Sequence, residues 1–177
     1  MGFWSQFLAW LHPPAVKPAV IKPEPIMMQP TDNRAAFLTT IAISEGTQEI
    51  GDRGYNALFG GLTFTSYADH PRKTFFIPRL NIKTTAAGRY QILEHIYDYY
   101  KAILKLPDFS PDSQDKIALE LIRECQALAD VDAGYLSSAI TKCSSRWASF
   151  AGNHYGQPTT PMGVLMAAFS KAGGKLA

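Results

Sequence analysis

Residues 41–55 read IAISEGTQEIGDRGY. An apolar, helix-like run stops at Ser44–Glu45–Gly46, and the chain beyond it is polar and rich in glycine. Upstream, Asp32 or Thr31 can cap a helix that begins near Asn33. In NRAAFLTTIAISEG, Phe37, Leu38 and Ile41 share a face, and Glu45 lies four residues after Ile41 and eight after Phe37. The glutamate therefore projects from the apolar side, and Gly46 is placed to stop the helix in a left-handed conformation. A carboxyl in that place loses water, which favours its protonated form. It also sits at the negative end of the helix dipole. Both effects raise its pKa toward the range that suits a general acid near neutrality. The competing reading is a helix-ending glutamate that swings into solvent or pairs with Arg53 or Arg89.

Working outward, YNALFGGLTFTSY carries Gly60–Gly61 between two short runs in which Leu62 and Phe64 alternate with Thr63 and Thr65. This predicts a hairpin, and KTFFIP adds a third short strand. Helical periodicity returns in GRYQILEHIYDYYKAIL, through Ile92, Ile96, Tyr99 or Tyr100, and Ile103. FSPDSQDKIALELIRECQAL opens with Ser110 as cap and Pro111 at the first helical position, and Ile117, Leu121, Cys125 and Leu128 form its stripe. A shorter helix is expected over 132–142 and another over Trp147. A final helix opens at Thr160–Pro161 and ends at Gly173–Gly174. The sum is a mainly helical α+β domain with a small antiparallel sheet near its start.

The chain has 177 residues, 46% hydrophobic, with a net charge of +2. That supports one compact core. No basic block suggests nucleic acid. Two cysteines, Cys125 and Cys143, make neither a disulfide framework nor a zinc site. They read as buried thiols, or as one bridge if the protein works outside a reducing compartment. The histidines His12, His70, His95 and His154 have no metal-ligand spacing, so neither metal nor cofactor is expected.

Residues 1–31 form a separate unit from 32–177. GFWSQFLAWL places Trp4, Phe7, Leu8 and Leu11 at helical spacing, and six of the twelve prolines follow between Pro13 and Pro30. Such proline density predicts an extended linker. The aromatic run is shorter than the roughly 17–25 residues that span a bilayer, and it lacks the marks of an export signal. Either residues 3–11 touch a membrane surface or a partner, or the segment is frayed or docked on its own domain.

SEGT, YADHPRK, AAGRYQIL, SPDSQDKIAL, CSSRWASF and YGQ occur in this order. Together they resemble the endolysins of lambda-type bacteriophages, lysozyme-fold enzymes that cut peptidoglycan, from about Arg34 to the C-terminus. The resemblance implies a lysozyme-like domain whose sheet lines a substrate cleft. It also implies a lytic transglycosylase that breaks the β-1,4 bond between N-acetylmuramic acid and N-acetylglucosamine and closes the muramyl sugar onto its own C6 hydroxyl. The family's catalytic glutamate falls on Glu45. Its glycine–aromatic–glutamine motif falls on Gly88, Arg89, Tyr90 and Gln91, with Gln91 against the acetamido group. Tyr155 and Gln157 fall on a third cleft motif. Between Glu45 and Gly54–Tyr55 the chain is shorter than the family pattern, so no role transfers to Glu49, Asp52 or Arg53. The implied setting is a monomer that waits in the host cytoplasm until a holin opens the membrane, then acts on the wall.

From the residues alone, Tyr55, Asn56, Tyr67, Tyr90 and Tyr155 offer aromatic faces and polar tips suited to sugars, or else core packing. Glu49, Asp52 and Asp69 keep a two-carboxylate hydrolase open. Asp69–His70–Pro71–Arg72 reads as a structural turn in which Asp69 satisfies Arg72. Ser44 lacks the setting of a nucleophile elbow. A wall-binding domain without catalysis and a wall-remodelling subunit of a larger apparatus are the remaining alternatives.

Overall fold

The computed structural model describes residues 32–78, 81–151 and 158–177. The aromatic and proline-rich segment, Tyr155 and Gln157 lie outside the described residues.

Helix α1, Asp32–Ser44, buries Asn33, Ala36, Phe37, Leu38, Thr40, Ile41 and Ala42. A helix apolar over most of its circumference belongs inside the body, so the single apolar face expected from the sequence is too narrow a description. Its one buried hydroxyl is satisfied locally, with Thr40 Oγ1 donating to Ala36 O at 2.9 Å. The helix ends as the sequence predicts. Gly46 has φ +71°, its N–H donates to Ile43 O at 3.1 Å, and Thr47 N donates to Ala42 O at 2.9 Å. Those two bonds are the Schellman pair, and they satisfy carbonyls that the helix itself leaves open.

Residues 56–64 turn back on themselves, but the expected ladder shrinks to a single bridge, Ala57 to Thr63. Gly60 and Gly61 are both left-handed, at φ +77° and +79°, within a 3-10 turn over Phe59–Gly61. Leu58 and Ala57 spend their remaining backbone groups on the next segment: Leu58 bridges Ala87, and Gly88 N donates to Ala57 O at 2.8 Å. The sheet proper is β1, Phe75–Ile77, antiparallel to β2, Ile82–Thr84, with Phe76 opposite Lys83. The first is the strand expected in KTFFIP. The second is short and half polar and leaves no alternation to read.

Helix α2 covers only Glu94–Leu104. Gly88 and Gln91 are left-handed, at φ +76° and +50°, and Ala87 and Ile92 exchange backbone hydrogen bonds of 3.0 and 2.8 Å. A closed turn therefore occupies 87–92, and the helix starts after it. Its buried residues are Tyr97 and Tyr100, so of Tyr99 or Tyr100 it is Tyr100 that faces inward, whereas Ile103 is exposed.

Helix α3, Pro111–Glu124, has Pro111 in its first turn and Ser110 accepting from Ser113 N. The helix expected over 132–142 is two helices, α4, Leu128–Ala133, and α5, Leu136–Cys143. Gly134 separates them at φ +81°, where a Cβ would come 2.2 Å from Lys175 O. Trp147 is buried in a turn rather than in a helix. The last helix, α6, spans Met162–Lys171 and buries Leu165, Ala168 and Phe169. It packs along α1.

Long-range polar ties close the body. Asn33 Nδ2 donates to Asp132 O and Lys175 O, at 3.1 and 3.2 Å, and its Oδ1 accepts from Lys175 N at 2.7 Å. Arg34 holds Asp132 through two bonds of 2.6 Å. The Asp69–Arg72 turn is structural, as expected. Arg72 bonds Asp69 at 2.8 Å and also Glu94 and Asp98 at 2.8 and 2.6 Å. Beneath it His70 is buried, accepts from Arg72 N at Nδ1, and therefore donates from Nε2 to Ile92 O at 3.0 Å.

Candidate active site

Glu45 follows the last helical residue of α1, and its N–H still donates to Ile41 O at 2.9 Å. The side chain is half-buried. Burial lifts the carboxyl from an ordinary value to about 7, against the opposing pull of a hydrogen bond from Ser149. Ser149 Oγ donates to Oε1 at 2.5 Å. Among the described residues, desolvation and that hydroxyl are what move the group. The solvent-exposed or Arg-paired glutamate is therefore not what the chain builds.

Arg89, buried at 6% exposure, is used elsewhere. Its guanidinium donates to Arg53 O and to Thr39 Oγ1, and lies 5.1 Å from the centre of the Tyr55 ring. Ser149 is held in turn. Its carbonyl accepts from Thr160 N at 2.8 Å, and Ser44 Oγ donates to Thr160 Oγ1 at 3.2 Å. The end of α1 and the two strands of chain beside it thus fix the acid and its donor together. Sequence reasoning assigns no role to Ser149 and uses Thr160 only to open the last helix. Ser149 lies within CSSRWASF, which was read only as a family mark.

The 87–92 turn rests on Gln114, which is fully buried on α3. Gln114 Nε2 donates to Tyr55 O and Phe109 O, both at 2.9 Å, and its Oε1 accepts from Arg89 N at 2.9 Å. Gly88 lies against it so closely that a Cβ would come 2.2 Å from Oε1. Thr47 Oγ1 then donates to Arg89 O at 2.6 Å, joining the residue after Gly46 to this turn.

Tyr55 and Tyr90 belong to the core rather than to an open surface, at 9% and 2% exposure. Their rings meet edge to face at 6.3 Å. Both hydroxyls donate to Asp115 Oδ1, at 2.9 and 2.5 Å. Burial raises the pKa of Asp115, and the two tyrosine hydroxyls and Arg89 oppose that rise. Both rings support the turn, because their polar tips point to a partner inside the protein. Gln91 is half-buried and donates from Nε2 to Gly88 O at 3.0 Å. Trp147 Nε1 donates to Tyr90 O at 3.2 Å. A small cavity lies between Gln91, Leu93, Ile96, Leu121, Arg146 and Trp147, and Glu45 does not line it.

Of the other acids, Asp52 accepts from Tyr67 OH at 3.0 Å. Asp69 is held well below the usual carboxylate range by Arg72 and Lys101. Glu49 is exposed. Among the described residues, no three His, Cys, Asp or Glu side chains gather to hold a metal ion.

The fold and this half-buried acid define a lysozyme-like protein. Bacteriophage lambda lysozyme in complex with a chitohexasaccharide matches with a TM-score of 0.80 at 44% identity, covering 85% of this chain and 100% of that one. A second structure of lysozyme from bacteriophage lambda gives 0.78 at 42% identity. The endolysin of Escherichia phage lambda is 45% identical over 153 residues, covering 84% of this chain and 96% of that protein. The endolysin of Escherichia phage P2 is 43% identical over 154 residues, covering 80% and 93%. A family model described as Endolysin matches residues 35–176. The chain belongs to the endolysin family, and it is a peptidoglycan-cleaving enzyme.

Proposed function

We propose that this endolysin is a lytic transglycosylase in which Glu45 is the sole proton carrier. The observation that carries this is a half-buried carboxyl lifted to about 7, with one hydroxyl donor and no charged partner among the described residues. Because Oε1 accepts from Ser149, the acid's own proton sits on the other oxygen, free to pass to the glycosidic oxygen. As that proton moves, the bond between the muramyl C1 and the leaving O4 breaks, and the neighbouring acetamido oxygen stabilises the positive carbon. The Glu45 carboxylate then takes the proton of the C6 hydroxyl while O6 attacks C1. The acid is restored, and the muramyl sugar ends as a 1,6-anhydro ring. No water enters, so the protein's tasks are to orient the ring and exclude solvent.

Gln91 is the first glycan contact in this reading, since its amide nitrogen is used on Gly88 O and its oxygen remains as an acceptor. Tyr155 and Gln157 are proposed as further contacts. That lambda lysozyme binds a chitohexasaccharide supports a glycan strand as the ligand. The protein works as a monomer, accumulates in the host cytoplasm and reaches the wall once the membrane is opened. Residues 1–31 are a separate unit whose aromatic stretch, 3–11, contacts the membrane surface. Removing residues 1–31 then leaves cleavage of purified wall unchanged while abolishing binding to vesicles.

Mass spectrometry of wall digested by the protein decides the chemistry. Anhydro-muramyl ends, one water lighter than reducing ends, are expected; reducing ends would mean that water is the nucleophile and a second carboxylate is at work.

A further inference from the structure

Two stretches of chain away from Glu45 are tied side by side. Cys125 caps the end of α3, and Cys143 is the last residue of α5. Arg146 Nη2 donates to Glu124 Oε2 at 3.2 Å, and Lys142 Nζ donates to Gln126 O at 3.2 Å. These bonds bracket the two cysteines, because Glu124 and Gln126 flank Cys125 while Lys142 precedes Cys143 and Arg146 follows it. Both cysteines are free thiols, and they lie close enough for each to perturb the other's ionisation. Cys143 is fully buried, whereas Cys125 is partly open to solvent.

We propose that Cys125 and Cys143 are a reversible dithiol site that closes to an intramolecular disulfide, with a small-molecule disulfide such as oxidised glutathione as oxidant. Access decides the order of attack. The Cys125 thiolate attacks one sulfur of the oxidant, forming a mixed disulfide and expelling the first reduced thiol. Cys143 then loses its proton and attacks the Cys125 sulfur, closing the ring and expelling the second. Two protein thiols are oxidised, one external disulfide is reduced to two thiols, and the two protons go to those products.

The local electrostatics favour the same order. The neighbouring Cys143 and the charge of Arg146 draw the Cys125 thiol down to about 7 against its burial, while Cys143 is pushed up. An attacking thiol works best with a pKa near the ambient pH. The closed ring holds α4 and α5, and Asp132 of α4 is already bound by Arg34 of α1. The bond therefore staples the body without touching Glu45.

The test uses the full chain equilibrated with mixtures of reduced and oxidised glutathione, quenched in acid, alkylated with N-ethylmaleimide in denaturant and weighed intact. Two alkyl groups are expected at the reducing end and none at the oxidising end, with no glutathione attached and a Cys125–Cys143 link in the peptide map. The melting temperature rises by about 5–10 °C on oxidation. Cys125→Ser keeps one alkylatable thiol throughout. A lasting glutathione adduct, a disulfide-linked dimer, or two free thiols in the most oxidising mixture overturns the site. A bond that forms without raising the melting temperature overturns its stapling role.

Discussion

Ser149 Oγ donates to Glu45 Oε1 at 2.5 Å across 104 positions of sequence. The acid comes from the first helix of the body and its donor from near the last. Their meeting sets how readily the carboxyl ionises. The hydroxyl stabilises the charged form, and burial opposes it more strongly.

Removing the donor therefore has a signed consequence. In Ser149→Ala the carboxylate loses its hydrogen bond, so the pKa of Glu45 moves above about 7. The alkaline limb of kcat/KM against pH shifts to higher pH. A limb that stays in place would mean that another group titrates there.

Glu45→Gln keeps an oxygen to accept from Ser149 but has no proton to give. Wall-cleaving activity falls by about 10²–10⁴-fold, while the protein still sediments with purified wall. Full activity in this variant would remove Glu45 from the chemistry.

The same pair predicts a pH-dependent difference in stability. The folded pKa of Glu45, about 7, lies above the value of 4.5 for the free group. Between those values the folded state holds the extra proton, so wild-type stability falls as pH rises through that window and levels off beyond it. Glu45→Gln lacks this loss. Unfolding free energies of the two proteins from urea titration should agree near pH 4 and diverge by pH 8 in favour of the variant, by on the order of 2 kcal/mol. Parallel curves would contradict the raised pKa.

Gln114→Ala strips one acceptor and two donors from buried backbone groups of Tyr55, Arg89 and Phe109. The expected loss is about 3 kcal/mol of folding stability by urea titration. A loss below about 0.5 kcal/mol would show that water or rearrangement replaces those bonds.

Tyr90→Phe separates support from substrate contact. It deletes a donor to the half-buried Asp115, so stability drops by about 1–2 kcal/mol, and KM for glycan chains stays unchanged. A raised KM with unchanged stability would instead place Tyr90 against the substrate.

The parts of this protein that were legible in the sequence are those with local causes. The end of α1 was readable because Ile41, Glu45 and Gly46 obey helical spacing and left-handed capping within a single turn. Ser110 and Pro111 announced α3 for the same reason. The start of α2 was misread because Gln91 adopts a left-handed conformation that side chains other than glycine rarely take, and no composition signal marks it. The glycine pair at 60–61 suggested a ladder, but the neighbouring edge is used by Ala87 and Gly88. Tyr55 and Tyr90 could equally have been core or cleft on their own chemistry. Asp115, which takes both hydroxyls, sits on another helix. Ser149 and Gln114 escaped notice because hydrogen bonds between distant segments leave no periodicity.

The Asn33 amide joins both ends of the described body, since it bonds the backbone of Lys175 in both directions, and Ala177 N reaches Gly134 O at 3.1 Å. Start and finish are neighbours in space. A short glycine-rich bridge could thus splice Ala177 to Asp32, and the exposed tip at Gly60–Gly61 could be cut to supply new termini. Any cargo spliced in at Asp32 or Ala177 would ride on one pole of the described body.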